Sequence, residues 1–99
     1  MRLTNQQRQQ LRQAIQHCTT DVAAIRLFGS RLNDQAVGGD VDLLVEFNNP
    51  VPTPALLAAR IATCAMRVLN GRKVDVLIAA PNLQMSAIHH TALKEGQLL

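Results

Sequence analysis

The sequence predicts an α/β domain in which a small mixed β-sheet packs with helices. Three observations predict it. Short apolar, β-compatible runs occur at 22–28, 40–47 and 73–79, stretches with helical spacing flank and separate them, and the two links between the runs differ in length. About ten residues join the first run to the second, fewer than a parallel crossover needs, so those strands should be antiparallel. A long helical stretch joins the second run to the third, which permits a parallel crossover.

The first helix is expected from Thr4 to about Cys18. Thr4 and Gln7 have capping-box spacing, and Leu11, Ala14, Ile15 and Cys18 make one apolar stripe. Glutamines and arginines fill the other faces, a solvated surface with no assigned chemistry. The strand Val22–Phe28 runs into Gly29-Ser30, and the following loop ends in Gly38-Gly39. A second strand covers Asp40–Phe47. Thr53 caps the next helix with Pro54 in its first position, and this helix continues through Leu69 to an αL-type stop at Asn70-Gly71. Being apolar on most faces, it should be well buried. The third strand is Lys73–Ala79, and the last helix spans Leu83 to Glu95, introduced by Pro81-Asn82 and ended by Gly96.

Ninety-nine residues form one domain, 1–99, with 47% apolar and 17% charged residues, the balance of a globular chain. A domain of this size buries only about 60–65% of its unfolded surface, so an oligomer would help. The formal charge of +3 and pI near 9.5 suit a polyanion such as a triphosphate, or an acidic partner protein. Nucleic acid is not indicated, because the basic residues are scattered and Phe28 and Phe47 are the only aromatics for stacking. Cys18 and Cys64 lack CxxC spacing and read as buried reduced thiols, in keeping with a cytoplasmic protein. The amino terminus shows no signal-peptide core, and no stretch approaches the length of an apolar span, so no membrane association is expected.

Residues two apart on a strand share a face. Asp40 and Asp42 therefore project together, with Leu44 and Glu46 beyond them, while Val41, Leu43, Val45 and Phe47 face the core. On the third strand Val74, Val76 and Ile78 go one way and Asp75 the other. Taken singly, each aspartate is an ordinary surface residue. Aspartate is disfavoured in strands, however, and three of them occupy the two best strands of the chain. If those strands are neighbours, three carboxylates converge and repel one another unless a cation lies between them. Such a cluster suits Mg²⁺ completed by substrate phosphates, and a metal pair would stabilise both oxygens of an in-line displacement. Gly29 lets backbone approach a phosphate, the Ser30 hydroxyl and turn amides can face it, and Arg31 can add a guanidinium. A lone Gly-Ser is a simple turn.

Other motifs fail on spacing. Position 6 of a calcium loop starting at Asp40 would be Val45 rather than glycine, and neither Gly-Lys-Ser/Thr nor GxGxxG is present. His89 and His90 lie about 100° apart on a helix, unsuited to joint chelation, and are expected with His17 among surface or partner-contact residues.

Together, LFGSRLNDQAVGGDVDLLVEF and KVDVLIA resemble the signature of the polymerase-β-like nucleotidyltransferases, most closely the minimal nucleotidyltransferase (MNT) group. The resemblance spans residues 22–79. It implies the nucleotidyltransferase fold, with Gly29 and Ser30 holding the β- and γ-phosphates and Arg31 as a further triphosphate contact. It also implies Asp40 and Asp42 as metal ligands, Asp42 bridging two Mg²⁺ ions, and Asp75 completing the catalytic metal's shell and helping to deprotonate the attacking hydroxyl. The Ser30–Asp40 spacing is one residue shorter than the commonest family form, which leaves the loop's phosphate contacts open.

The resemblance implies a partner as well, a HEPN-family toxin, with this chain as the antitoxin of a HEPN/MNT module. On that reading the chain transfers a nucleoside monophosphate, AMP from ATP, to a hydroxyl of the toxin. The alternative is a nucleotide-binding antitoxin that neutralises its partner stoichiometrically without catalysis. Transfer to a small molecule such as an aminoglycoside fits less well, because so small a chain offers little pocket.

Overall fold

The computed structural model describes residues 3–29 and 41–99. Its elements run α1 (Asn5–Cys18), β1 (Val22–Phe28), β2 (Val41–Phe47), α2 (Pro54–Val68), β3 (Val74–Ala79), α3 (Ala87–Glu95) and β4 (Gln97–Leu98). The strands form one sheet in the order β3-β2-β1-β4. As expected, β1 and β2 are antiparallel, whereas β2 and β3, joined through α2, are parallel.

Local chemistry starts and stops these elements largely where expected. At the head of α1, Thr4 Oγ1 accepts the Gln7 N–H at 3.1 Å and the Thr4 N–H donates to Gln7 Oε1 at 2.8 Å, a complete capping box. Pro54 opens α2, although the Thr53 hydroxyl at the N-cap makes no capping bond. Beyond α2, Asn70 and Gly71 both take positive φ, 58° and 84°, and the Gly71 N–H donates to the Met66 carbonyl.

The alternation of β1, β2 and β3 divides the sheet into two packed faces. One carries Ile25, Leu27, Val41, Leu43, Val45, Phe47, Val74 and Ile78, and joins Leu11 and Ile15 of α1 and Ile61 and Ala65 of α2 in the main core. The other holds Phe28, Leu44 and Ala79 against Ala92 of α3. Leu44, expected on the open acidic face, is fully buried because α3 covers it, a gain of roughly 1.5–3 kcal/mol over leaving it exposed.

Three expectations need correction. The last helix begins at Ala87 rather than Leu83. The Asn82 amide is committed elsewhere: Oδ1 accepts the Val51 N–H and Nδ2 donates to the Val51 carbonyl, each at 2.8 Å. That pair ties Asn82 to the link before α2, and Ser86 becomes the helix cap. Second, α2 is not buried all round. Ile61 and Ala65 face the core, while Ala55 and Ala59 are exposed and Leu56 is 61% exposed. Alanine suits an exposed helix face through its propensity, so apolar composition overstated the burial.

Third, His89 is buried rather than on the surface. Its Nδ1 accepts the Ser86 N–H at 3.1 Å, with Ser86 Oγ 2.8 Å away, and its Nε2 lies 2.9 Å from the Ile78 carbonyl oxygen. An N–H donor at Nδ1 places the ring proton on Nε2, which donates to Ile78. His89 thus joins the start of α3 to β3. His90 and His17 are exposed, as expected.

One element was not anticipated. After Gly96, Gln97 and Leu98 pair antiparallel with Leu27 and Arg26, and Arg8 donates to Gln97 Oε1 and the Leu98 carbonyl. This short strand occupies the free edge of β1.

Candidate active site

The acidic face takes its shape from strand register. Asp42 is the second residue of β2 and Asp75 the second of β3, and the parallel ladder makes them direct partners. Neighbouring strands lie about 4.8 Å apart, so the two carboxylates leave the sheet side by side on one face. Asp42 is half-buried and Asp75 exposed. Across β2 from Asp75, Phe28 pairs with Asp42 and is buried, giving the acid pair an apolar flank.

Like charges directly opposite destabilise a sheet unless something positive lies between them. Glu46, two rows further along the same face, is a separate matter: it binds Arg26 Nε at 2.9 Å and is thereby withdrawn from the acid pair. The expected grouping of Asp42 with Asp75 is therefore seen, and Glu46 belongs to an ion pair. Among the described residues no three histidine, cysteine, aspartate or glutamate side chains group to hold a metal. Asp40, Ser30 and Arg31 lie outside the described residues.

Gly29 closes β1 beside this pair with φ +75°, a conformation that glycine adopts without penalty. A Cβ at this position would collide with Asp42 Oδ2. The glycine thus lets backbone pass directly against the Asp42 carboxylate. Two carboxylates side by side on one face, with close-approaching backbone beside them, are hard oxygen donors of the kind that suit a divalent cation.

One further residue escaped the sequence reading. Lys73 stands two places before Asp75, and its carbonyl accepts the Val41 N–H at 3.0 Å, which holds it in the ladder. The same alternation that pairs Asp75 with Asp42 sets Lys73 on their side, where it is exposed. Extending the β3 alternation back by one step was the available signal.

With this geometry established, the comparisons decide the family. The family model described as "Nucleotidyltransferase domain" matches residues 5–99. The chain belongs to the nucleotidyltransferase domain family. A search of curated proteins gives no match. Among solved structures, this nucleotidyltransferase domain is similar to one described as "Crystal structure of the toxin-antitoxin with AMP-PNP", with a TM-score of 0.69 and 15% identity. The alignment covers 92% of this chain and 70% of the other. At that identity the likeness establishes the shared fold, a mixed sheet with helices on it. No helix among the described residues of the nucleotidyltransferase domain is long and apolar enough to cross a membrane.

Proposed function

We propose that this nucleotidyltransferase domain transfers a nucleoside monophosphate, AMP from ATP, to a hydroxyl of a partner protein and acts as the antitoxin of a toxin–antitoxin pair. The observation that carries the reading is the side-by-side register of Asp42 and Asp75, two carboxylates that a parallel ladder forces together on an open face. Family membership supplies the reaction class, and the similar toxin–antitoxin structure with AMP-PNP favours both the adenine nucleotide and a toxin partner.

In this scheme Asp42 and Asp75, with Asp40, hold two Mg²⁺ ions. When bound, the metal supplies charge neutralisation at the phosphates and a lowered pKa for the attacking hydroxyl. Gly29 and Ser30 receive the β- and γ-phosphates, and Arg31 and Lys73 add positive charge near them. Asp75, which is exposed, takes the proton from the acceptor hydroxyl as it attacks the α-phosphorus. Pyrophosphate leaves from the opposite side. The partner is a HEPN-family toxin, and both work in the cytoplasm.

The test is calorimetric titration with AMP-PNP, with and without Mg²⁺, followed by transfer from labelled ATP to the co-purified toxin. Magnesium-dependent binding and label on the toxin, both lost in Asp42→Asn, are expected. Equal silencing of the toxin without ATP and Mg²⁺ would replace catalysis by stoichiometric occlusion.

A further inference from the structure

Away from the acidic face, the α1–α2 layer brings together two thiols. Cys18 is the last residue of α1, and Cys64 lies in α2. The Cys18 thiol donates to the Arg60 carbonyl at 3.6 Å, one helical turn before Cys64. Both are free and half-buried. They line one open cavity of about 360 Å³ with Ala14, His17, Arg67 and Val68, so a small reagent reaches both sulfurs from solvent. No third ligand completes a metal group among the described residues, which leaves the chemistry of two adjacent thiols.

We propose that Cys18 and Cys64 form a reversible intramolecular disulfide, with a low-molecular-weight disulfide such as oxidised glutathione as the oxidant. The Cys64 thiolate attacks one sulfur of the reagent, breaking its S–S bond, forming a mixed disulfide and releasing one small thiol. Cys18 then loses its proton to solvent and attacks the Cys64 sulfur, and the second small thiol leaves. The two protein thiols together give up two electrons and two protons, and the reagent's disulfide is reduced to two thiols.

Forming a bond of about 2.05 Å needs the two sulfurs to approach across the opening they share. The end of α1 can supply it. Thr19 already follows in extended backbone, φ −148°, so only the last helical turn has to adjust. Burial keeps Cys18 protonated at neutral pH, so the second step accelerates in mildly alkaline solution. The bond would enclose residues 18–64, a segment that includes β1 and β2 and both Gly29 and Asp42. Cross-linking so long a loop restricts the unfolded chain and stabilises the fold. The inference is independent of nucleotidyl transfer.

The experiment uses the full chain in its reduced state as its own reference. After incubation with oxidised glutathione at mildly alkaline pH, intact mass, free-thiol count, non-reducing electrophoresis and the melting midpoint are measured. Expected are loss of both thiols, a mass lower by two hydrogens with no glutathione adduct, monomeric migration, and a midpoint raised by roughly 10 °C. Dithiothreitol should reverse all four. Cys18→Ser should instead retain a glutathione adduct on Cys64, and Cys64→Ser should react only slowly. Stable adducts on the wild type, covalent dimers, or two persistent free thiols would each overturn the proposal.

Discussion

Gly29 ends β1 in the left-handed region, φ +75°, with the Asp42 carboxylate lying where its Cβ would be. Two separate requirements thus meet at one residue. An L side chain there would adopt a disfavoured backbone conformation, costing about 1–2 kcal/mol, and would displace Asp42 Oδ2 as well. Gly29→Ala should therefore lower the unfolding free energy by that amount or more. On the proposed site it should also weaken magnesium-dependent AMP-PNP binding at least tenfold, because a displaced Asp42 carboxylate would no longer share an ion with Asp75. Chemical denaturation beside calorimetry checks both effects. A variant that loses stability but binds nucleotide normally would detach Asp42 from the site.

Asp75 faces Asp42 across the parallel ladder, and in the absence of a cation the pair repels. Asp75→Asn removes one charge while keeping shape. The expected result is a metal-free protein more stable by roughly a few tenths of a kcal/mol, given that Asp75 is exposed and screened. Magnesium should stabilise the wild type in thermal melts and leave the variant unmoved. A metal-free variant less stable than wild type would argue that Asp75 serves the fold rather than an ion.

Much of this arrangement was legible because it rests on alternation. Val41, Leu43, Val45 and Phe47 could only face a core, which put Asp42 on the other side, and the short and long links set the strand directions. What alternation cannot report is a second covering layer. Leu44 sits among acids in the sequence yet is sealed by α3, and Glu46 looks like a fourth acid until Arg26 is seen to hold it. Pro81-Asn82 has the composition of a helix start, but the Asn82 amide is spent on Val51, a contact 31 positions away. Gln97-Leu98 is too short to carry any period, and Cys18 and Cys64 are brought together only by the packing of α1 on α2. Of the six expected site residues, Gly29, Asp42 and Asp75 lie among the described residues; the pairing of Asp42 with Asp75 follows from strand register, and that of Gly29 with Asp42 from its positive φ.

His89 replaces the usual acidic or amide residue of a capping box and reaches further. It accepts from Ser86 at one ring nitrogen and donates to the Ile78 carbonyl from the other. His89→Ala would strand a carbonyl on β3 and free the first turn of α3, with a cost of about 2–3 kcal/mol for two lost partners at a buried position. Ser86→Ala keeps the backbone N–H that His89 accepts, so its cost should stay below about 1 kcal/mol. Urea denaturation of the two variants tests the ordering. Equal losses would mean that the serine hydroxyl, not the ring, carries the connection.

The Cys18 thiol is pushed up to about 11, first by burial and then by the neighbouring Cys64 thiol, against the opposing pull of Arg60 and Arg67. A group that binds its proton more tightly when folded contributes stability that is complete below its unfolded pKa, near 9.0. That contribution falls away as pH rises from about 9 to about 11. Reduced wild-type protein should therefore lose stability across this window, and Cys18→Ser, which has no thiol to ionise there, should lose less. Alkylation of Cys18 by iodoacetamide should likewise be slow at pH 7 and accelerate up to the top of the same window, since only the thiolate reacts. Melting curves at half-unit pH steps, run beside alkylation rates resolved by peptide mass, measure both. A Cys18 rate already half-maximal near pH 9 would place its ionisation at the ordinary thiol value and remove the basis for the alkaline loss.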